Sequence, residues 1–273
     1  MTTFTNTTEP FKEIHSQVEA LGPWFHNLHL PDGTQTAPQS PFGDFPACKW
    51  AEVGPHLPHD LSEWTVLDIG CNAGYYSFEL AKRGACVTAI DFDPHYLAQA
   101  RWACRQFGLE DRIEFKQMQV YDLAHAPESY DLILFLGVFY HLRHPLLALD
   151  IVAQRVNRLL VFQTLTMPGL EVYTNTDNWP IEHRDPMTEP GWPKMAFIEH
   201  RLAGDPTNWW APNHACCEAM LRSSGLTVIA RPGHEIYLCK PADDYRRDES
   251  NPTLIELLSA TGQSKRPAWP GSP

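Results

Sequence analysis

The stretch 65–93, TVLDIGCNAGYYSFELAKRGACVTAIDFD, limits the fold more than any other part of the chain. Val66, Leu67, Asp68 and Ile69 have the length and apolar character of a buried strand. A loop with Gly70, Asn72 and Gly74 follows. From Tyr75 to Arg83 the apolar residues Tyr76, Phe78, Leu80 and Ala81 recur at helical spacing, and Gly84 stands where a helix C-terminus favours positive φ. A second strand-like run, Ala85 to Ile90, ends at Asp91. Strand, glycine loop, helix and strand in that order form half of a nucleotide-binding Rossmann-like fold.

Two acids narrow the ligand. In a dinucleotide fingerprint, glycines let the backbone approach a pyrophosphate at a helix N-terminus. Here the pattern is Asp68-x-Gly70-x-Asn72-x-Gly74, with a carboxylate ahead of the first glycine. That charge repels a pyrophosphate and suits an ammonium group. Asp91, followed by Phe92, can accept hydrogen bonds from a ribose diol. Together they fit an adenosine with an amino-acid tail, S-adenosylmethionine (SAM). A tight turn that merely needs glycine explains the loop but not both acids. An NAD-binding oxidoreductase is the alternative of another class, opposed by Asp68 and Asn72. A SAM-binding protein without catalysis is a further one.

The rest of the chain extends this unit to an α/β, doubly wound, seven-stranded sheet. Asp93 and Pro94 begin a helix whose apolar face is Tyr96, Leu97, Ala100 and Ala103, ended by Gly108. Ile113 to Gln117 is a third strand. Val120 and Tyr121 follow at a strand-to-loop transition suited to adenine. Tyr130 to Leu136 is a fourth strand, apolar on both faces. Pro145 to Val152 is a helix and Arg158 to Thr164 a fifth strand. Asn213 caps a helix to Ser224, and Leu226 to Ala230 and Glu235 to Cys239 pair as an antiparallel end.

Residues 1–60 read as an N-terminal helix and lid, residues 61–241 as the SAM-binding domain, and residues 242–273 as a tail with one short helix at 254–258. The lid holds Trp24, Phe25, Phe42 and Phe45, and only one helical turn is expected between Ala51 and Leu57. Residues 167–212, rich in Pro, Trp and acids, are too long for an ordinary connection and read as a substrate-covering insertion after strand five.

Charge and cysteine usage restrict partners and compartment. With 21 Lys+Arg against 33 Asp+Glu, net charge −12, phosphate neutralisation is a poor basis for binding. A small-molecule acceptor is favoured over a nucleic acid. There is no apolar run long enough for a membrane span and no signal-peptide pattern at the start. The 7 cysteines are scattered apart from Cys216-Cys217, with Cys71, Cys86 and Cys239 in or beside core strands, and read as reduced thiols of a cytoplasmic protein. The 13 histidines, among them His183, His200 and His214, lack H-E-x-x-H or H-x-H spacing, so no metal is expected.

One run carries a family resemblance. Gly137-Val138-Phe139-Tyr140-His141-Leu142-Arg143-His144-Pro145, with Lys49-Trp50, Pro55-His56-Leu57 and VLDIGC at 66–71, resembles the bacterial enzymes that modify the C5 oxygen of the tRNA wobble uridine. Those enzymes transfer a carboxymethyl group from carboxy-SAM and have SAM methyltransferases as relatives. The likeness spans about residues 45–165 and the Trp210-x-Pro212 segment. It implies that Lys49 and Tyr140 handle the cofactor, whether SAM or carboxy-SAM. The family's second, upstream lysine has no counterpart between Lys12 and Lys49; His26 and His29 lie nearest. The family's tryptophan falls on Asp44, and Arg266 is a candidate for its C-terminal arginine.

In this fold the acceptor comes from loops at the strands' C-terminal ends. Leu136 closes strand four beside the cofactor, and Tyr140, His141 and Arg143 follow as the catalytic candidates. Tyr140 can orient the acceptor oxygen. His141 can act as base, or merely tie its ring to backbone. Arg143 can bind an anionic acceptor group or form a surface ion pair. Glu199, Asp205 and Asn208 can contact substrate; Asn208 can equally brace its loop. Trp209 and Trp210 serve packing or recognition. The expected reaction is O-methylation of a small polar or sugar-like metabolite, with tRNA wobble-uridine carboxymethyl or methyl transfer as the alternative.

Overall fold

The computed structural model describes residues 8–172, 178–243 and 251–263. The chain forms two compact units, one up to Gln119 and one from Val120.

The first unit contains α1 (Thr8–Ala20), α2 (Phe45–Val53), β1 (Thr65–Ile69), α3 (Tyr75–Lys82), β2 (Cys86–Asp91), α4 (Pro94–Phe107) and β3 (Ile113–Gln117). Its strands are parallel, with β2 between β1 and β3. Val66, Leu67, Val87, Ala89 and Ile90 fill the sheet's interior, and α3 buries Tyr76, Phe78, Leu80 and Ala81 as their spacing predicts. Burying a side chain the size of Leu or Phe contributes roughly 1.5–3 kcal/mol, so these residues decide which way α3 faces. In α4, Asp93 accepts from the His95 amide at 2.8 Å and Gly108 closes the helix at φ +64°. Gln99, on the buried face, donates to the Leu21 and Pro23 carbonyls at 2.7 and 2.8 Å. Trp102 Nε1 donates to Gln17 at 2.7 Å. Together they fasten the end of α1 and the segment after it onto α4.

One expectation for this unit needs correction. The segment read as a loop to Trp50, with one turn beyond it, holds α2, so Lys49 and Trp50 lie inside a helix. Local signals for it are weak, because the Asp44 carboxylate faces Asn27 and His29 instead of capping the helix. Tertiary contacts make up the difference: the Arg83 guanidinium lies over the Trp50 ring at 4.8 Å and donates to the Gly54 and Pro58 carbonyls. Cys86 opens β2 at its exposed end, whereas Cys71 and Cys239 are buried. All seven thiols are free.

The second unit contains β4 (Tyr130–Leu136), α5 (Pro145–Ala153), β5 (Val156–Gln163), β6 (Met195–Phe197), β7 (Trp210–Pro212), α6 (His214–Ser223), β8 (Leu226–Gly233), β9 (Ile236–Pro241) and α7 (Pro252–Ala260). β4 and β5 are parallel, β9 pairs antiparallel with β5, and β8 pairs antiparallel with β9. The mixed sheet has seven strands, the expected α/β architecture with an antiparallel end. β6 and β7 form a separate antiparallel pair inside the insertion. Asn213 caps α6 by accepting from the Cys216 amide at 2.9 Å, and its amide donates to the Pro190 and Trp192 carbonyls. One side chain thereby ends the insertion and starts the helix. No helix among the described residues is long and apolar enough to cross a membrane.

Candidate active site

The first unit builds a polar loop at the C-terminal ends of β1 and β2. The Gly70 and Cys71 amides both donate to the Ile90 carbonyl, at 2.8 and 3.0 Å. Asn72 adopts φ +50°, a conformation Asn tolerates better than most residues, and accepts from the Ala73 amide at 2.7 Å. Asp91 organises the loop: one carboxylate oxygen accepts from the Asn72 amide and the other from the Asp93 amide, both at 2.9 Å. Burial pushes the Asp91 carboxyl up, and those two amides oppose the shift. Asp68 lies below the loop and accepts from the Ser77 hydroxyl at 2.6 Å. Burial raises its pKa to about 6, against the Ser77 bond and with the Asp91 charge adding. A buried acid with a raised pKa is poised to be ionised by an incoming cation.

Gly74 begins α3 at φ +91°, and a Cβ there would lie 2.7 Å from the Phe78 ring. Gly74→Ala is therefore expected to destabilise the protein by roughly 2–5 kcal/mol, about 1–2 from the left-handed backbone and about 1–3 from overpacking. Denaturant unfolding measures this, and a loss below about 0.5 kcal/mol, the range of ordinary surface changes, would contradict it.

His26 and His29 separate clearly. His29 is exposed, with Nε2 3.1 Å from Asp44. His26 is buried among Phe25, Phe45 and Tyr76, and among the described residues neither its Nδ1 nor the Tyr76 hydroxyl has a hydrogen-bond partner. Burial, and then the charge of Lys49, lower its pKa to about 3. At neutral pH His26 is an uncharged hydrogen-bonding group and does not replace a lysine as a cation. Phe92 is exposed. Arg266 lies outside the described residues.

In the second unit Leu136 ends β4 buried, and a turn of 3-10 helix, Phe139–His141, follows. Phe139 is fully buried against Phe135 and Phe162, which anchors the turn. Val120 is buried; Tyr121 is half-buried and its hydroxyl accepts from the His144 amide at 3.2 Å. Burial, with the charges of Glu235 and Asp205 adding, lifts the Tyr140 phenol to about 12, so it remains a donor at neutral pH.

The insertion is knitted to this turn. The Trp209 amide donates to the Tyr140 carbonyl at 2.9 Å and Trp210 Nε1 to the Leu142 carbonyl at 3.1 Å. The Arg143 guanidinium lies 4.4 Å from the Trp209 ring centre and 5.5 Å from that of Phe197. Arg143 is thus a cation laid on aromatic faces that leave its N–H groups available in plane. His141 Nδ1 is 2.9 Å from the Thr207 hydroxyl and 3.9 Å from Asp205. Burial lowers the His141 pKa, opposed by the Asp205 charge and the Thr207 carbonyl, so the ring is neutral at pH 7.

Other candidates divide. Asn208 braces its loop, donating to the Leu202 carbonyl at 2.9 Å. Glu199 and His200 are exposed neighbours, and His183 is exposed. His214 is buried and hydrogen-bonded to the Tyr237 hydroxyl. No group of three His, Cys, Asp or Glu side chains placed for a metal occurs among the described residues. Three contributors escaped the sequence reading: Ser77, Thr207 and Glu235, the last accepting from Thr166 and Gln163. For Thr207 a signal exists, since Asp-x-Thr is the spacing of an Asx-type turn.

Residues 66–161 match the family described as "Methyltransferase domain". The tRNA U34 carboxymethyltransferase of Cellvibrio japonicus (strain Ueda107) is 30% identical over 172 residues, 59% of this chain and 49% of that protein. That of Pseudomonas savastanoi pv. phaseolicola (strain 1448A / Race 6) is 35% identical over 183 residues, 66% of this chain and 50% of that protein. The chain thus spans about half the length of these curated relatives. Among solved structures, the N-terminal domain of EvdMO1 with SAH bound superposes with TM-score 0.56 at 18% identity, covering 85% of this chain and 96% of that one. The chain carries a methyltransferase domain with the class I Rossmann-like fold, and over that domain it resembles the tRNA U34 carboxymethyltransferases.

Proposed function

We propose that the chain is a SAM-dependent methyltransferase acting on a hydroxyl oxygen of a small polar or sugar-like metabolite. The observation that carries the cofactor reading is the acid pair of the first unit. Asp68 is a buried carboxyl able to receive an ammonium group, and Asp91 is locked by two amides where a ribose diol would be read. When bound, SAM would supply a methyl carbon on a positively charged sulfur, with the S–CH3 electron pair left on the sulfur of S-adenosylhomocysteine. His141 takes the hydroxyl proton as the acceptor oxygen forms its bond to carbon. Tyr140 donates a hydrogen bond that orients the acceptor. Arg143, held on Trp209 and Phe197, anchors an anionic or oxygen-rich part of it. Gly70, Asn72 and Gly74 shape the cofactor loop, and the resemblance assigns Lys49 to the cofactor tail.

Carboxymethyl transfer from carboxy-SAM to tRNA is the second reading, favoured by the names of the curated relatives and by Lys49 and Tyr140. The neutral, buried His26 in place of a lysine speaks for SAM, and net charge −12 speaks against tRNA. The test is incubation with methyl-labelled SAM and either a small-metabolite extract or bulk tRNA. Label in the small-molecule fraction is expected; label in tRNA alone would overturn the metabolite reading.

Cofactor affinity should depend on pH through Asp68. Its carboxyl, with a pKa of about 6, must be ionised to pair with an ammonium group. Affinity is therefore expected to fall as pH drops below about 6, by up to about tenfold per unit, since each pKa unit is worth about 1.4 kcal/mol. Calorimetric titration between pH 5 and 7.5 checks this. Asp68→Asn should bind weakly with a flat profile, and a flat wild-type profile would contradict the assignment.

A further inference from the structure

We propose that Thr207 and Asp205 are positioning residues that hold His141 protonated at Nδ1, leaving Nε2 as the proton acceptor. The inference rests on the methyl-transfer reading above, in which His141 is the base.

The assignment follows from counting protons. A neutral imidazole carries one N–H, on one nitrogen or the other, and the partner of one nitrogen decides the state of both. His141 Nδ1 faces the Thr207 carbonyl at 3.3 Å and the Thr207 hydroxyl at 2.9 Å. A carbonyl can only accept. The hydroxyl lies 2.6 Å from an Asp205 carboxylate oxygen, which can only accept, so the one hydroxyl proton goes there. Toward His141 the same hydroxyl therefore has only lone pairs to offer. Both groups facing Nδ1 are acceptors, so Nδ1 carries the proton.

Asp205 is itself fixed. The same carboxylate oxygen accepts from the Thr207 amide at 2.7 Å. Burial would raise its pKa, but the two Thr207 hydrogen bonds and the charge of a protonated His141 outweigh that and lower it. Asp205 is thus an anion at neutral pH, and it is the charge that acts on His141. The Tyr140 ring lies against the imidazole with centroids 4.2 Å apart, protonated and neutral. Arg143 is turned onto Trp209. Among the described residues no hydrogen bond occupies Nε2, and His141 keeps a third of its side-chain surface exposed. The arrangement supplies what a general base needs: a fixed ring, a defined lone pair and a nearby anion to stabilise the imidazolium as it forms.

The test reads the tautomer directly. Nitrogen-15 correlation spectra of the full chain, with His141 signals identified by their loss in His141→Asn, should show Nδ1 protonated and Nε2 bare above the ring's pKa. Thr207→Val leaves only the longer carbonyl contact and should move the signals toward a mixture of tautomers; Thr207→Ser should restore the wild-type pattern. In the same series kcat should fall roughly 5–10-fold in Thr207→Val, the worth of about one hydrogen bond, and recover in Thr207→Ser. Asp205→Asn should lower the His141 pKa and shift the acid limb of the rate profile the same way, which a merely structural role would not do. A wild-type ring protonated at Nε2, or a tautomer unmoved by Thr207→Val in a folded protein, overturns the proposal whatever the turnover. The expected tautomer together with full turnover by His141→Gln would instead overturn the base role from which the proposal started.

Discussion

Asp91→Ala is expected to weaken SAM binding by about 100-fold or more. The side chain has two tasks. Its oxygens hold the Asn72 amide in the glycine loop after β1 and the Asp93 amide at the start of α4, the two segments proposed to border the cofactor. In the proposed complex it also receives the ribose diol. A hydrogen bond to a charged group contributes about 1.5–3 kcal/mol, so losing two in effect costs about 3 kcal/mol or more, and each 1.4 kcal/mol is tenfold in affinity. Calorimetric titration of SAM measures the loss, and a thermal melt separates it from unfolding. Asp91→Asn keeps one carbonyl acceptor and should lie between wild type and Ala. Affinity unchanged in a folded Asp91→Ala protein would sink the assignment of this acid.

His141→Gln should leave SAM affinity within about twofold and lower kcat by about 10²–10⁴, the usual range for removing a general base. Glutamine keeps a polar group of similar reach but cannot take a proton. The pH profile adds a second reading. The His141 pKa lies below its ordinary value because burial opposes the charged ring. The base must be neutral, so the wild-type rate should fall as pH drops through that lowered pKa, and the variant should lose this limb. Steady-state turnover on any accepted hydroxyl substrate measures both. A variant with wild-type kcat would assign the proton to another acceptor.

The two predictions rest on features of different legibility. Asp68, Asp91 and the glycines between them were readable because a buried strand, a cap and a positive-φ turn each leave a local trace. β4 was readable because a strand buried on both faces is apolar throughout, and its bounds, Tyr130–Leu136, match the sequence reading. α4 was readable from Asp93-Pro94 at one end and Gly108 at the other. α2 was not, because its N-cap acid faces Asn27 and His29, and the helix depends on Arg83 packing over Trp50. β6 and β7 have three residues each, too few for alternation to show. The catalytic candidates Tyr140, His141 and Arg143 were legible from their run after β4. Their supports were not: Thr207 touches His141 across 66 residues, and Trp209 reaches Arg143 only because the insertion folds back. Ser77 bonds Asp68 from the first turns of α3, a contact that depends on helix orientation and not on spacing alone.

The most direct test of the central claim is a calorimetric titration of the purified chain with SAM, run beside carboxy-SAM. Saturable one-to-one binding of SAM, tighter than that of carboxy-SAM and lost in Asp91→Ala, is the predicted result. Preference for carboxy-SAM would contradict the methyl-transfer reading, and absence of binding to either would contradict the assignment of Asp68 and Asp91 as cofactor ligands.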